Sequence, residues 1–103
     1  MITTNDARES AYDEKIASRL RLMEAKVALL KKDREIVRAK ADRIIQGFEG
    51  KTNEAQRDAV LTLFLKELED VRSGLEIQVL NCQAKYDIAA MEVSFYDNAP
   101  VLE

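Results

Sequence analysis

The stretch Ile16–Phe48, IASRLRLMEAKVALLKKDREIVRAKADRIIQGF, decides the fold of this chain of 103 residues. Apolar side chains recur along it in alternating steps of three and four residues, the spacing of one helix face in a coiled coil. Arg34 is the only charged residue in the series. The spacing predicts a long helix whose apolar stripe packs on a partner helix: Ile16, Leu20, Met23, Val27, Leu30, Val37, Ala41, Ile44 and Phe48.

A second apolar stripe follows a turn bracketed by Gly47 and Gly50. Asn53, with Gln56 three residues later, is typical of a helix start. The stripe advances in seven-residue steps through Leu61, Leu68, Leu75, Cys82, Ala89 and Tyr96. The sequence therefore predicts an all-α fold, a long antiparallel two-helix coiled-coil hairpin forming a single domain. We expect helix one over about 5–47, the turn over 47–52, helix two over about 53–96 and a short tail over 97–103.

Two finer features follow from the same spacing. Phe64 and Val71 belong to the expected stripe before Gly74, and the steps change after Leu75, which predicts a stutter that locally unwinds the supercoil. The charge of Arg34 predicts an ion pair across the hairpin, with Glu67 or Asp70 as the acceptor.

Each helix carries a further apolar series that a solitary hairpin would leave in water. Contiguous exposed strips of this kind mark contact sites. We therefore expect self-association into a four-helix bundle or a larger oligomer, with a dimer favoured. A partner protein covering the strips with its own helix is the alternative. The predicted interface residues are Leu22, Leu29, Ile36, Ile77, Ile88, Met91 and Phe95.

Charge is unevenly distributed along the chain. Residues 15–43 contain ten basic and four acidic side chains, whereas residues 75–103 contain one basic and five acidic ones. The basic first helix makes nucleic-acid binding a second hypothesis, with Lys31, Arg38 and Lys40 as the predicted anion contacts. Against it, residues 15–43 hold no aromatic side chain for base stacking, and the net charge is −3.

The composition argues against an enzyme. The chain has no histidine, so Ser-His and Cys-His catalysis and the commonest transition-metal ligand are excluded. We expect no catalytic residues, cofactor or metal. We expect the single cysteine, Cys82, to be a buried thiol within the second stripe, with an intersubunit disulfide or a reactive thiol as the alternative. No apolar run approaches the length of a membrane span, and the first residues lack the pattern of a signal peptide, which predicts a cytoplasmic protein.

The segment 49–59, EGKTNEAQRDA, is the most distinctive local string. It resembles small phage and prophage helical-hairpin proteins in which the first helix ends in a Gly-Lys-Asn-Glu-x-x-Arg-like turn. Gly50, Lys51, Asn53, Glu54 and Arg57 match, with Thr52 as an extra residue. The resemblance implies an accessory protein encoded near phage recombination functions. It also suggests a counter-defence protein that binds a host immune component or a signalling nucleotide.

Overall fold

The computed structural model describes residues 4–48 and 53–98. It consists there of two helices, α1 (Thr4–Gln46) and α2 (Glu54–Asn98). Contacts such as those of Arg8 with Asp97 and of Arg72 with Asp33 join the helices in antiparallel order. The predicted all-α hairpin is confirmed. Each helix end lies within two residues of its expected position, and residues 99–103 of the expected tail lie outside the described residues.

The inner ends of the two helices follow the local chemistry of the sequence. Gly47 has a φ of 84°, a left-handed conformation that favours glycine, and its N–H donates to the carbonyl oxygen of Ile44 at 3.1 Å. At the start of α2, the side-chain oxygen of Asn53 accepts a 2.8 Å hydrogen bond from the N–H of Gln56. Asn53 therefore caps α2 as predicted. Residues 49–52, which carry part of the phage-like motif, lie outside the described residues.

Contacts divide the chain into two compact units. The terminal unit comprises Met1–Lys26 and Gln78–Glu103, and the central unit comprises Val27–Ile77. In each unit, we call the helix face that is covered by the other helix the inner face, and the opposite side the outer face. The buried inner-face residues of the terminal unit are Ala11, Ser18, Leu22 and Ala25 of α1 together with Ala89 and Val93 of α2.

In the central unit, Leu65 is buried, and the half-buried leucines and isoleucine of the inner face are Leu29, Ile36, Leu61, Leu68 and Leu75. The guanidinium of Arg72 binds Asp33 on the other helix through Nε and Glu76 on its own helix through Nη1, the latter at 3.2 Å. Near the end of α1, the guanidinium of Arg43 lies over the Phe64 ring, 5.9 Å from its centroid. An ion pair and a cation–π contact thus join the two helices of this unit.

The structure reverses the assignment of faces on α1. Leu22, expected to be surplus, is only 6% exposed, whereas its neighbour Met23, expected in the hairpin seam, is 53% exposed. The physical reason is a seven-residue repeat of small residues, Ala11, Ser18 and Ala25, each 5% exposed or less. Small side chains let two helix backbones approach closely, so the larger neighbouring side chains fill the remaining space.

Two further expectations are wrong. Burial along α2 follows Leu61, Leu65, Leu68, Arg72, Leu75, Val79 and Cys82, so the alternation of four and three continues without the stutter expected after Leu75. Phe64 and Val71, expected in the seam, are half exposed. Arg34 is exposed and, among the described residues, forms no ion pair; the cross-helix pair belongs to its neighbour Asp33. Arg34 misses α2 because it lies in the stripe that forms the outer face.

Candidate interaction faces

The outer face of α1 in the central unit is an exposed apolar strip with basic side chains. Val27, Leu30, Val37 and Ile44 are 48–66% exposed. Their positions follow the same three-four spacing as a coiled-coil seam. Between residues 27 and 45 the outer positions carry only apolar or basic side chains: Val27, Leu30, Lys31, Arg34, Val37, Arg38, Ala41, Ile44 and Ile45. An apolar strip with one sign of charge suits a partner helix of opposite charge.

A shallow depression lies on this strip. Leu30, Asp33, Arg34, Val37 and Arg38 line a volume of about 400 Å³ that is open to solvent. Its lining combines the aliphatic side chains of Leu30 and Val37 with two arginines and one aspartate. Drug-sized ligands bind in concave sites that bury most of their surface. This depression is open, so it is better suited to side chains from another helix than to a small molecule.

The terminal unit has an outer face on each helix. On α1 it comprises Ile16, Leu20 and Met23, which are 53–60% exposed. On α2, the exposed series includes Leu80, Ile88, Met91 and Phe95, with Asn81, Asp87 and Ser94 as its polar members. The rings of Phe95 and Tyr96 meet edge to face, with centroids 5.5 Å apart. The α2 face is thus apolar and weakly acidic.

The predicted interface residues divide between the two kinds of face. Ile77, Ile88, Met91 and Phe95 are 59–71% exposed and lie on the outer face of α2. Leu22, Leu29 and Ile36 lie on the inner face of α1, so the expectation that they form a spare surface is corrected. The surface that the sequence reasoning missed is the stripe from Ile16 to Ile44. Its coiled-coil spacing is plain in the sequence, but the same spacing also fits a hairpin seam.

The predicted anion contacts Lys31, Arg38 and Lys40 are all exposed. None of the three pairs with a carboxylate among the described residues, whereas the adjacent Lys32 binds Glu35 at 2.7 Å. Lys31 and Arg38 lie seven residues apart on the outer face. Lys40 directly follows the half-buried Ala39 of the inner face. The three cations therefore do not converge on one point.

A polar cluster joins the helices of the terminal unit. The Tyr12 hydroxyl donates to both carboxylate oxygens of Asp97, at 2.6 and 2.7 Å, and Arg8 donates to one of them at 2.8 Å. The hydrogen bonds from Tyr12 and then Arg8 lower the pKa of Asp97, and the bond to Asp97 raises the pKa of Tyr12. Both groups are solvent exposed, and their arrangement is that of a clamp between helix ends.

Cys82 lies on the inner face of α2 and is half-buried. It lies in the expected stripe but is less enclosed than the buried thiol that the sequence predicts.

The described residues define a class: an antiparallel helical hairpin with apolar outer faces on both helices. Comparisons with protein-family models, curated proteins and solved structures give no match to the chain. Neither α1 nor α2 contains, within the described residues, an apolar stretch long enough to cross a membrane.

Proposed function

We propose that this protein is a non-enzymatic interaction protein that self-associates through its outer faces. The observation that carries the proposal is the outer face of α1, where Leu30, Val37 and their neighbours keep coiled-coil spacing while remaining about half to two-thirds exposed. This face is more apolar than the inner face of the same helix, which includes Lys15, Ser18 and Lys32. Water exposure of such a strip is unfavourable, and association with another helix removes it.

The resemblance of the turn to phage and prophage hairpin proteins supports a phage or prophage origin for this function. Asn53, Glu54 and Arg57 are its described members. In that setting the protein is an accessory factor that works through protein–protein contacts. The outer faces supply a contact surface, and they require no catalytic group.

The test is the mass of the protein in solution as a function of concentration, measured by sedimentation equilibrium. We expect a mass above 11.7 kDa that rises with concentration. Leu30→Glu/Val37→Glu places two charges on the outer face of α1 and should yield a helical monomer. The matched control Asn5→Glu/Ser10→Glu adds the same charge at exposed positions outside that face and should associate like the wild type. A wild-type chain that stays monomeric at millimolar concentration contradicts the proposal.

A further inference from the structure

We infer that the outer face of α1 in the central unit binds the outer face of α2 of a second copy, with the two helices parallel and Arg34 opposite Asn81. This inference rests on the proposed self-association and specifies which faces meet. The contact joins two different surfaces, so every copy carries both halves of it.

Both faces have the spacing that such a contact needs. Along α1, the outer positions 27, 30, 34, 37, 41 and 44 advance in alternating steps of three and four. Along α2, the steps alternate in the same way through Ile77, Asn81, Ala84, Ile88, Met91 and Phe95. Two helices with this repeat can interlock side chains over several turns. Each series contains one strongly polar residue, Arg34 in α1 and Asn81 in α2.

Aligning the two polar residues fixes the register. In a parallel pair equivalent positions face each other, and the Arg34 guanidinium can donate to the amide oxygen of Asn81. The same alignment places a large side chain against alanine in the layers of Val37 and Ala41, and two large side chains against each other in the layers of Leu30 and Ile44. The resulting layers pair Leu30 with Ile77, Val37 with Ala84, Ala41 with Ile88, and Ile44 with Met91. Alternation of large and small residues is what allows facing layers to fill space.

Charge complementarity supports the same partner. In the parallel register, the residues flanking the layers bring Lys40 next to Glu92. They also bring Asp33, whose carboxylate binds Arg72 of its own chain, next to Lys85, the only base in α2 after Arg72. Both pairs are attractive.

Pairing like with like is less favourable. A parallel contact between two α1 outer faces places Arg34 against Arg34 and Lys26 next to Lys31, and its one attractive flanking pair is Asp33 with Arg38. The corresponding contact between two α2 outer faces places Asp87 next to Glu92. Like charges that face each other across an interface oppose association. Among parallel contacts, the charges therefore favour pairing of the α1 face with the α2 face of a second copy.

A contact between unlike faces is heterologous. It closes when copies form a ring or when two such contacts are reciprocal, and it otherwise continues from copy to copy. The register can be tested without knowing the number of copies, because every contact contains the Arg34–Asn81 layer.

The experiment exchanges the two polar residues and follows self-association by sedimentation equilibrium. Asn81→Arg places two arginines in the same layer and should weaken association by about tenfold or more. Arg34→Asn/Asn81→Arg restores the layer with its members exchanged and should return the dissociation constant to within about threefold of the wild type. The control Ser10→Arg adds the same charge at an exposed site outside both faces and should leave association unchanged. Circular dichroism on each variant checks that the helices are intact.

A second exchange is independent of the first. Lys40→Glu should weaken association, and Lys40→Glu/Glu92→Lys should restore it. If the wild type associates but neither double variant is restored, the register is wrong while self-association stands. If the wild type is monomeric at all concentrations, both the register and the proposed function fail.

Discussion

The hydroxyl of Tyr12 bridges both carboxylate oxygens of Asp97, at 2.6 and 2.7 Å, and so ties the first part of α1 to the last turns of α2. Arg8 completes the clamp with an ion pair to the same carboxylate. Each partner adds a hydrogen bond that favours the ionised form of Asp97, and this lowers its pKa. The clamp therefore depends on pH, because protonation of Asp97 in acid or ionisation of Tyr12 in alkali removes one of its hydrogen-bonding groups.

We expect the clamp to open in acid and in alkali. Folding lowers the pKa of Asp97, so its stabilisation is fully present above the unfolded-state value near 4 and is lost as pH falls through the lower folded value. Folding raises the pKa of Tyr12, so its contribution is present below about 10 and is lost as pH rises through the higher folded value. Carboxyl-carbon NMR of Asp97 measures the acid limb directly.

Substitution of Tyr12 measures how much its hydroxyl contributes to the lowered pKa of Asp97. Tyr12→Phe removes the bridging hydroxyl and should move the pKa of Asp97 upward, with Arg8 still holding it below an ordinary carboxyl. Tyr86→Phe removes a hydroxyl elsewhere in the same unit and serves as the control. An unchanged Asp97 titration in Tyr12→Phe would mean that the bridge does not persist in solution.

The two described glycines should respond in opposite directions to alanine. A side chain at Gly47 meets nothing within 4 Å, but the φ of 84° is costly for any other residue, so Gly47→Ala should destabilise by about 1 kcal/mol or more. Gly74 lies within α2 and also has open space where a Cβ would point, so Gly74→Ala should stabilise by about 0.5–1 kcal/mol. Urea unfolding compares the two variants, and equal effects would contradict the assigned helix end at Gly47.

Neighbouring residues on α1 separate the inner face from the outer one. Leu22→Ala removes a side chain that is 6% exposed and should destabilise the hairpin by about 2 kcal/mol or more. Met23→Ala changes a side chain that is 53% exposed and should alter the stability of the dilute monomer by no more than about 0.5 kcal/mol. Thermal unfolding at a concentration where the mass is that of a monomer provides the comparison. A larger loss in Met23→Ala would place Met23, and not Leu22, in the hairpin seam.

The sequence alone predicts the two helices and where they end. It does not predict which face of α1 packs on α2. Gly47 and Asn53 act locally, through backbone conformation and one hydrogen bond, so their effects can be predicted from neighbouring residues alone. Which face of α1 packs on α2 depends on the side chains of α2 that it contacts. Both faces of α1 have coiled-coil spacing, and hydrophobicity alone favours the wrong one as the seam. The signal that identifies the true seam is the seven-residue recurrence of small residues at Ala11, Ser18 and Ala25, which permits close packing.

The same distinction explains the mixed outcome for the interaction faces. The exposure of Ile88, Met91 and Phe95 could be predicted because the seam of α2 after Leu75 is the one that its spacing indicates. Leu29 and Ile36 were assigned to a spare exposed surface together with Leu22, whereas all three lie on the inner face. Arg34 followed the error, since its position in the outer face removes it from Glu67 and Asp70 of its own chain.

Nucleic-acid binding gives a final prediction. Lys31 and Arg38 are separated by two helical turns, Lys40 lies at the border of the inner face, and Lys32 is held by Glu35. Residues 27–46 also contain no aromatic side chain that could stack on bases. We therefore expect no retardation of single- or double-stranded DNA in a low-salt gel shift at micromolar protein. Retardation that falls steeply with salt and disappears in Lys31→Glu/Arg38→Glu/Lys40→Glu, but persists in Asn5→Glu/Ser10→Glu, would instead make the basic helix a nucleic-acid-binding surface.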